Sequence, residues 1–370
     1  FQGGFTLGQV PAYDLALKVR NLDVQKVRAE NRDSKLAAAL NLDLWVKGRG
    51  TNLQIMDTTA RFNLLPSRVG PVAAVEGKGA AVLRDGRLNL QEVKLFAGDT
   101  TLSAHGQIGA IEQAPQGKIL YSLRSKNIAP WLELADLKGN GRLNIDGTAS
   151  GRFEALNVEG KANVADFQLS GYSLQRGAVS WTLAQVGSPQ LRGNIKASAN
   201  DVNAAIRLKT VDANVAVQGL EPIEVDANVS AQDQEKQGHR LKAHLQYLPE
   251  RLNVLLQELA LQLPNGAWRM PQQARLIAHG KTITVDDLLL QSGAQNIRAK
   301  GSVGSQGSQD FHVEVNRFSL EDLRPFIQNF PDISGRVSAE ARLGGTAASP
   351  VIESTVNADG LKIAGQPYAG

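Results

Sequence analysis

The chain contains no cysteine and few aromatic residues. Without Cys among its 370 residues, a disulfide framework and cysteine-ligated metal sites are excluded. The lack of thiols also fits a protein of an oxidising compartment. Phe, Trp and Tyr make up only 5% of the chain, so a core filled with large rings is not expected. The apolar residues that are present are mainly Ala, Val, Leu and Ile.

Long apolar runs and a strong charge imbalance are also missing. No stretch approaches the roughly 20 apolar residues of a transmembrane helix, and no signal peptide is present. Because the sequence begins at Phe1 rather than Met, we expect an internal cut with targeting information upstream. The net charge is +4, from 40 basic and 36 acidic residues. This balance argues against a nucleic-acid-binding protein, which concentrates Lys and Arg on one face.

The sequence carries no recognisable catalytic motif. Gly280-Lys281-Thr282 ends like a phosphate-binding loop, but Arg275 stands where the earlier glycine is required. There is no Gly-x-Ser-x-Gly elbow. We expect the histidines to be solvated residues of strands or, at 232–240, of a polar loop near Glu235; they are His105, His239, His244, His279 and His312. The prediction is therefore a protein that is not an enzyme, with no cofactor and no metal site.

Strict alternation of apolar and polar residues recurs along the chain. Side chains of a strand point alternately to opposite faces of the sheet, so each such segment predicts a strand with one apolar and one solvated face. The apolar positions of these segments are Leu42, Leu44, Val46, Ile119, Leu123, Leu143, Ile145, Leu191, Ile195, Ala197, Val211, Ala213, Val215, Val217, Ile223, Val225, Ala227, Val229, Leu241, Ala243, Leu245, Val313, Val315, Val337, Ala339, Ala341 and Leu343.

Alternation and turn signals together predict an all-β fold of antiparallel type. Parallel sheets covered on both sides read as continuous apolar runs, whereas half-solvated antiparallel sheets alternate. Turn sequences such as Asp85-Gly86 and Pro264-Asn265-Gly266 separate on the order of 20 strands. In one ladder these would form an elongated sheet of roughly 100 Å. Short helices are predicted only at Leu22–Val27, Pro130–Leu137 and Ser319–Asn329, where Ser319 and Asp322 have capping-box spacing.

Two stretches about 194 residues apart resemble each other. The first reads Asn127-Ile-Ala-Pro-Trp-Leu, Gly141-Arg-Leu-Asn-Ile-Asp-Gly-Thr and Phe167-Gln-Leu-Ser-Gly; the second reads Leu323-Arg-Pro-Phe-Ile, Gly335-Arg-Val-Ser-Ala-Glu and Leu361-Lys-Ile-Ala-Gly. Order and spacing kept over three blocks predict an internal repeat. We therefore divide the chain into repeat segments at 1–125 and 126–317 and the start of a further one at 318–370. We expect the native protein to continue, because an uncapped sheet edge invites aggregation.

The apolar face has two interpretations. It is either the packed interior of β-sandwiches or an open groove whose small side chains leave space for hydrocarbon. Ala and Gly at apolar positions, among them Ala197, Ala213 and Gly301, favour the groove, since a sandwich core is filled with bulkier residues. Periodicity alone leaves both interpretations open.

The second repeat copy resembles the TamB branch of the AsmA-like proteins of Gram-negative bacteria. The motifs that carry the resemblance are Leu323-x-Pro-Phe, Ser334-Gly-Arg-Val-Ser-Ala, Leu343-Gly-Gly-Thr, Ser349-Pro-Val-Ile and Gly360-Leu-Lys-Ile. The resemblance implies an elongated sheet curled into a U-shaped apolar groove, a β-taco, in a periplasmic bridge-like lipid transfer protein. The family's N-terminal membrane anchor and C-terminal domain are not in this sequence, which therefore resembles a middle part.

Three functions follow from these observations. The first is a conduit in which the apolar positions named above line a groove for phospholipid acyl chains, between an inner and an outer membrane that are reached through other regions. The second is an assembly factor for outer-membrane barrel proteins, acting by β-augmentation with a TamA-like barrel as partner. The third is an adhesin or sugar-binding solenoid, which the scarcity of aromatic platforms disfavours; Trp45 is the one clear outward aromatic residue.

Overall fold

The computed structural model describes residues 2–23, 38–111, 117–305, 307–327 and 330–367. Strands take up 76% of the described residues and helices 3%, so the predicted all-β antiparallel fold is confirmed. Its described part contains 24 strands, compared with the roughly 20 predicted. Contacts divide the chain into two compact units, which we call unit 1 (Phe1–Gly193) and unit 2 (Asn194–Gly370).

Unit 1 is formed by eleven described strands and one short helix. The strands are β1 (Gln2–Thr6), β2 (Ala12–Asp23), β3 (Ala38–Arg49), β4 (Asp57–Val69), β5 (Val72–Arg84), β6 (Arg87–Ala97), β7 (Thr100–Gly109), β8 (Gly117–Ser125), β9 (Gly139–Arg152), β10 (Ala155–Leu169) and β11 (Tyr172–Val186). The helix α1 (Ala129–Glu133) joins β8 to β9. The division between the units falls within β12 (Arg192–Asn203).

Unit 2 contains the remaining described strands and a 3₁₀ helix. The strands are β13 (Arg207–Gln218), β14 (Ile223–Asp233), β15 (Gly238–Leu248), β16 (Arg251–Leu263), β17 (Gly266–Arg269), β18 (Ala274–His279), β19 (Thr282–Ser292), β20 (Gln295–Gly304), β21 (Asp310–Ser319), β22 (Ile333–Thr346), β23 (Ser349–Ile363) and β24 (Gln366–Pro367). The 3₁₀ helix Leu320–Leu323 follows β21 directly.

The strands of each unit form an antiparallel meander. From β1 to β11, and again from β13 to β23, each strand pairs with its neighbours in the chain. The short β17 interrupts this order, so that β16 pairs with both β17 and β18. Among the described pairings, none is the crossed connection that folds a sheet into a Greek-key sandwich. This topology favours the open sheet over the sandwich.

β-Bulges keep the apolar residues of long strands on one face. In β6, Leu90 pairs with Gly106 but the next pair is Val93 with Ala104, and Glu92 between them has a φ of 41°. The extra residue moves the apolar positions from even to odd numbers without turning them to the solvated face. Similar register shifts occur at Asp166 in β10 and Arg317 in β21, both with positive φ.

The internal repeat is visible in the strand boundaries. β9 and β22 each have 14 residues, β10 and β23 each have 15, and both ends of each later strand lie 194 residues after those of the earlier one. Positive φ recurs with the same offset, at Gly141 and Gly335 and at Asp166 and Gly360. The predicted repeat is therefore confirmed. The predicted segments 1–125, 126–317 and 318–370 do not coincide with units 1 and 2, whose boundary in the chain lies between Gly193 and Asn194. This division into three segments stays a prediction.

The helices are shorter than predicted. The segment predicted at Pro130–Leu137 forms α1, which ends at Glu133. The helix predicted at Ser319–Asn329 is reduced to the single 3₁₀ turn Leu320–Leu323. Ser319 makes no capping bond, and its hydroxyl donates to Glu321. Residues 328–329 lie outside the described residues. Of the segment predicted at Leu22–Val27, only Leu22 and Asp23 are described, and they end β2.

Candidate functional site

In unit 1, apolar residues lie opposite one another across ten successive strands. Directly opposed residues of an antiparallel sheet point to the same side, so each register row marks one face. One row runs from β2 to β11 through Leu15, Val46, Ala60, Ala81, Leu90, Gly106, Ile119, Ala149, Val158 and Leu183. A second runs through Val19, Leu42, Leu64, Gly77, Leu95, Leu102, Leu123, Ile145, Ala162 and Val179. We call the side that carries these rows the apolar face.

Unit 2 has an equivalent apolar face. One register row crosses ten of its strands through Val217, Val225, Leu245, Val254, Leu276, Val285, Gly301, Phe311, Leu343 and Ile352. Beside it, Val215 pairs with Ala227, which pairs with Ala243. Ala227 and Ala243 of this neighbouring row have smaller side chains than Val225 and Leu245 beside them, so they protrude less from the sheet.

The residues predicted to line a groove lie on this face wherever the register is given. Those of β3, β8, β9, β13–β15, β21 and β22 fall in rows of mostly apolar partners, with Ser125 opposite Leu143 and Ser354 opposite Ala341 as polar exceptions. In β12, exposed and part-buried residues alternate, and Ile195 and Ala197 are among the part-buried ones. Leu191 precedes that strand. Their contact with lipid remains a prediction.

The apolar face is only partly covered. Of the 27 predicted residues, only Ile119 and Ala243 are buried, and the others retain part of their exposure. A sandwich would bury these side chains between two layers. The apolar face is therefore accessible surface rather than the inside of a packed core.

Sequence reasoning missed a large part of the apolar face. Leu15, Leu17 and Val19 of β2 do not stand out by strict alternation. Ala16 is an apolar residue at a position where the pattern needs a polar one, and Leu22 follows Val19 by three positions instead of two. The bulged strand β6 was missed because its bulge interrupts the alternation, and β16 was missed because it is apolar on both sides for much of its length. The residues missed are Leu64, Leu90, Leu95, Leu102, Val158, Val179, Leu183, Val254, Leu276 and Val285. Allowing one inserted residue per strand would have found most of them.

Two aromatic rings lie over glycines on the apolar face of unit 1. Tyr121, Gly147, Gly160 and Trp181 follow one another in register across β8 to β11. A Cβ at Gly147 would collide with the Tyr121 ring, and one at Gly160 with the Trp181 indole. The Tyr121 hydroxyl reaches the Glu159 carbonyl at 3.5 Å. The rings therefore occupy the space left by the two glycines.

The opposite face is polar and carries cross-strand ion pairs. Lys47 contacts Asp14 at 2.8 Å, and the hydrogen bond from Lys47 to Asp14 raises the pKa of Lys47. Arg298 donates two hydrogen bonds of 2.7 Å to Asp287, which hold the pKa of the Asp287 carboxyl below its ordinary value. Trp45 is 42% exposed on this face, as predicted. It is not alone, because Phe96, Phe153 and Tyr172 are also exposed.

His239 was misplaced by the sequence analysis. The predicted polar loop is only a short turn, and His239 lies in β15, opposite Ala231 of β14 and in line with the apolar face. It is 6% exposed, so it is buried rather than solvated. Its polar neighbours in sequence concealed the fact that β15 begins at Gly238. Within the described residues, no three metal-ligating side chains form a group.

One of the comparisons with known proteins identifies a family. The model of the family described as "TamB, N-terminal domain" matches residues 2–368. No curated protein and no solved structure matches the chain. Among the described residues, no helix has the length and apolar character needed to cross a membrane.

Proposed function

The chain belongs to the TamB family, and from this premise we propose that its apolar face shelters phospholipid acyl chains and conducts lipid between the inner and outer membranes. TamB-family proteins are associated with the envelope of Gram-negative bacteria and act in transport related to the outer membrane and its lipids. The proposal places the protein in the periplasm, with phospholipid as its cargo and no catalytic step. A U-shaped curvature of the sheet around the lipid is part of the proposal.

One observation carries this proposal: apolar residues stay in register across ten strands of each unit and yet remain part-exposed. Exposed apolar surface of this extent marks an interaction site. An acyl chain lying on it gains about 0.8 kcal/mol for each methylene removed from water. The described face has no ion pair within its register rows, so a lipid would slide without breaking specific polar contacts.

Small residues fit this role better than large ones. Ala213, Ala227 and Ala243 lie in or beside the rows of unit 2, and Gly77, Gly106 and Gly301 occupy positions within the rows. The alanines keep the face low between the Leu and Val side chains, where a flexible hydrocarbon chain would pack, whereas neighbouring atoms already fill the space beside the three glycines. A face evolved to pack against a second protein layer would be filled by larger side chains.

The test compares two neighbouring arginine substitutions. Val215→Arg places a charge on the apolar face, whereas Ala216→Arg places the same charge on the exposed polar face, where Ala216 lies opposite Asp226. A charge among acyl chains costs about 2.5–3.5 kcal/mol. We expect phospholipid bound to the purified protein, measured by extraction and mass spectrometry, to fall at least about tenfold in Val215→Arg and to stay unchanged in Ala216→Arg. Equal lipid content in both variants would reject the conduit.

A second candidate function is assembly of outer-membrane barrel proteins by β-augmentation, with a TamA-like barrel as partner. In this function, the part-exposed apolar face would hold the apolar side chains of an unfolded strand, whose backbone would pair with a strand edge. Crosslinking from the apolar face to unfolded barrel protein in lipid-free preparations would favour this function over the conduit.

A further inference from the structure

A cavity of about 790 Å³ lies at the strand ends of unit 2, and we call it the rim pocket. Three turns surround it, those that follow β12, β14 and β16. Residues 324–327 and 330–332, which follow the 3₁₀ helix Leu320–Leu323, form its remaining wall. The lining includes His239, Arg207, Arg324, Asp233, Leu263 and Phe326. It thus combines apolar side chains with basic and acidic ones.

His239 presents an unpaired donor in the rim pocket. Its Nδ1 accepts a hydrogen bond of 3.3 Å from the backbone N–H of Gln262, so the neutral imidazole carries its proton on Nε2. Nε2 is buried and has no hydrogen-bond partner among the described residues. The Asp233 carboxylate is 3.7 Å away, too far for a hydrogen bond. A buried donor without an acceptor is unfavourable. Because Nε2 itself has almost no accessible surface, a ligand oxygen would remove that cost by displacing the side chains that separate Nε2 from the cavity.

Two guanidinium groups add positive charge to the same lining. Arg207 and Arg324 are exposed, and neither forms an ion pair with a carboxylate in the part of the chain that the structure describes. The acidic groups are Asp233, Glu235 and Asp332. One oxygen of Asp233 is already occupied, because it accepts the backbone N–H groups of Glu235 and Gln237. The groups free to bind an anion therefore include His239 and both arginines.

The rim pocket is continuous with the apolar face. His239 lies opposite Ala231, one row from Leu241 and Val229. Leu263 and Phe326 extend the apolar surface into the pocket wall. An amphiphile whose chains lie along β14 and β15 would therefore have its polar head at the pocket.

We propose that the rim pocket is a phosphate-binding subsite, in which His239 Nε2–H, Arg207 and Arg324 hold the phosphate group of an amphiphile whose chains lie on the apolar face. The amphiphile part rests on the proposed function, whereas the phosphate part rests on the pocket alone. A bidentate arginine and a neutral imidazole donor suit the tetrahedral oxygens of a phosphate ester.

The experiment titrates the purified chain with three probes: inorganic phosphate, dihexanoyl phosphatidic acid and dihexanoylglycerol. Binding is followed by calorimetry and by the imidazole resonances of ¹⁵N-histidine protein, with His239 assigned from His239→Gln. We expect phosphatidic acid to shift the His239 resonance and to bind roughly tenfold more weakly to Arg324→Gln and Arg207→Gln. Arg275→Gln, an exposed arginine of β18 outside the lining, serves as the matched control and should bind normally.

Each outcome bears on the proposal. If inorganic phosphate binds as tightly as phosphatidic acid, the phosphate site stands and the amphiphile part is overturned. If neither phosphate probe responds to the two arginine variants or moves the His239 resonance, the pocket holds water only and the subsite is rejected. If phosphate binds here while Val215→Arg leaves bound lipid unchanged, the proposed function fails but the phosphate site survives.

Discussion

At the scale of the single residue, the apolar face depends on glycines as much as on leucines. Gly147 and Gly160 give the rings of Tyr121 and Trp181 room to lie across neighbouring strands. Neither glycine has a positive φ, so its role is space rather than backbone conformation. The same arrangement is the known compensation for glycine in a sheet, where an aromatic ring on the next strand covers the gap.

The first prediction concerns Gly160→Ala. The added Cβ would collide with the Trp181 ring and with the Asp146 carbonyl, so we expect a loss of about 1–3 kcal/mol in unfolding free energy. Urea unfolding followed by circular dichroism measures the loss. Gly344→Ala is the control, since no atom lies within 4 Å of a Cβ there and its φ is not positive. Two variants of equal stability would show that Trp181 does not pack on Gly160.

The second prediction concerns pH and Asp287. Because Arg298 lowers the pKa of this carboxyl in the folded protein, the pair stabilises the fold above the unfolded pKa of about 4. This contribution disappears as the pH falls through the lower, folded pKa. We expect Asp287→Asn to lose about 0.5–1 kcal/mol of stability at pH 7, and the difference from wild type to shrink below about pH 4. Asp286→Asn, its exposed neighbour, is the control. A pH-independent difference would exclude the ion pair as its cause.

Some residues of the candidate site could be predicted from sequence and others could not. Val225 and Val229 alternate without interruption with polar neighbours, so the period of two identifies their face. His239 and Leu90 could not be assigned in this way. The first follows a polar turn, and the second lies next to a bulge whose position depends on pairing with β7. Only the partner strand determines where an inserted residue is accommodated.

At the scale of the element, the connections between strands are anchored across the strand ends. In unit 1, Trp131 of α1 donates a hydrogen bond of 2.8 Å to Thr100, at the start of β7. In unit 2, Trp268 of β17 donates one of 3.0 Å to Asp322 of the 3₁₀ helix. Asp322 also accepts the backbone N–H of Asn265 at 2.9 Å and is fully buried. Each short helix is therefore fixed to an earlier turn of its unit.

The third prediction tests the anchor of unit 2. Trp268→Phe removes the hydrogen bond to Asp322 and leaves a buried carboxylate oxygen without its donor. We expect a loss of about 2–3 kcal/mol in unfolding free energy and faster amide exchange in the β16–β17 turn and the 3₁₀ helix. In Trp45→Phe, at a 42% exposed position, the change should stay within about 0.5 kcal/mol. Unchanged exchange in the turn of Trp268→Phe would mean that the anchor does not hold this connection.

The strands were easier to predict than the connections, for a physical reason. A strand such as β13 is determined by its own alternating residues, and its register follows from a short turn. The buried position of Asp322 depends on Trp268, which lies 54 residues earlier in the chain. Ser319 and Asp322 have capping-box spacing, yet Asp322 bonds to Trp268 and Asn265 rather than to its own helix. Local sequence suggested that Asp322 caps its own helix, but tertiary contacts make it the acceptor for Trp268 and Asn265 instead.

At the scale of the whole molecule, two antiparallel meanders each present an apolar face that no described layer covers. The strands β9 and β10 of unit 1 recur as β22 and β23 of unit 2, with strand boundaries and positive-φ positions offset by 194 residues. The two units therefore contain the same repeated segment. A meander grows by adding hairpins, because each new strand needs only its predecessor as a partner. Such a chain lengthens its apolar face in proportion to its strands, which suits a conduit that must cover a distance.

Lipid contact with the apolar face is tested most directly by photocrosslinking. A phospholipid with a photoreactive diazirine at the end of one acyl chain is bound to the purified chain, irradiated, and located by peptide mass spectrometry. We predict labels on apolar-face residues such as Val215, Val225 and Leu245, and none on their exposed strand neighbours Asn214, Ala216 and Asp226. Equal labelling of both faces, or no labelling of the apolar face, would contradict the lipid conduit.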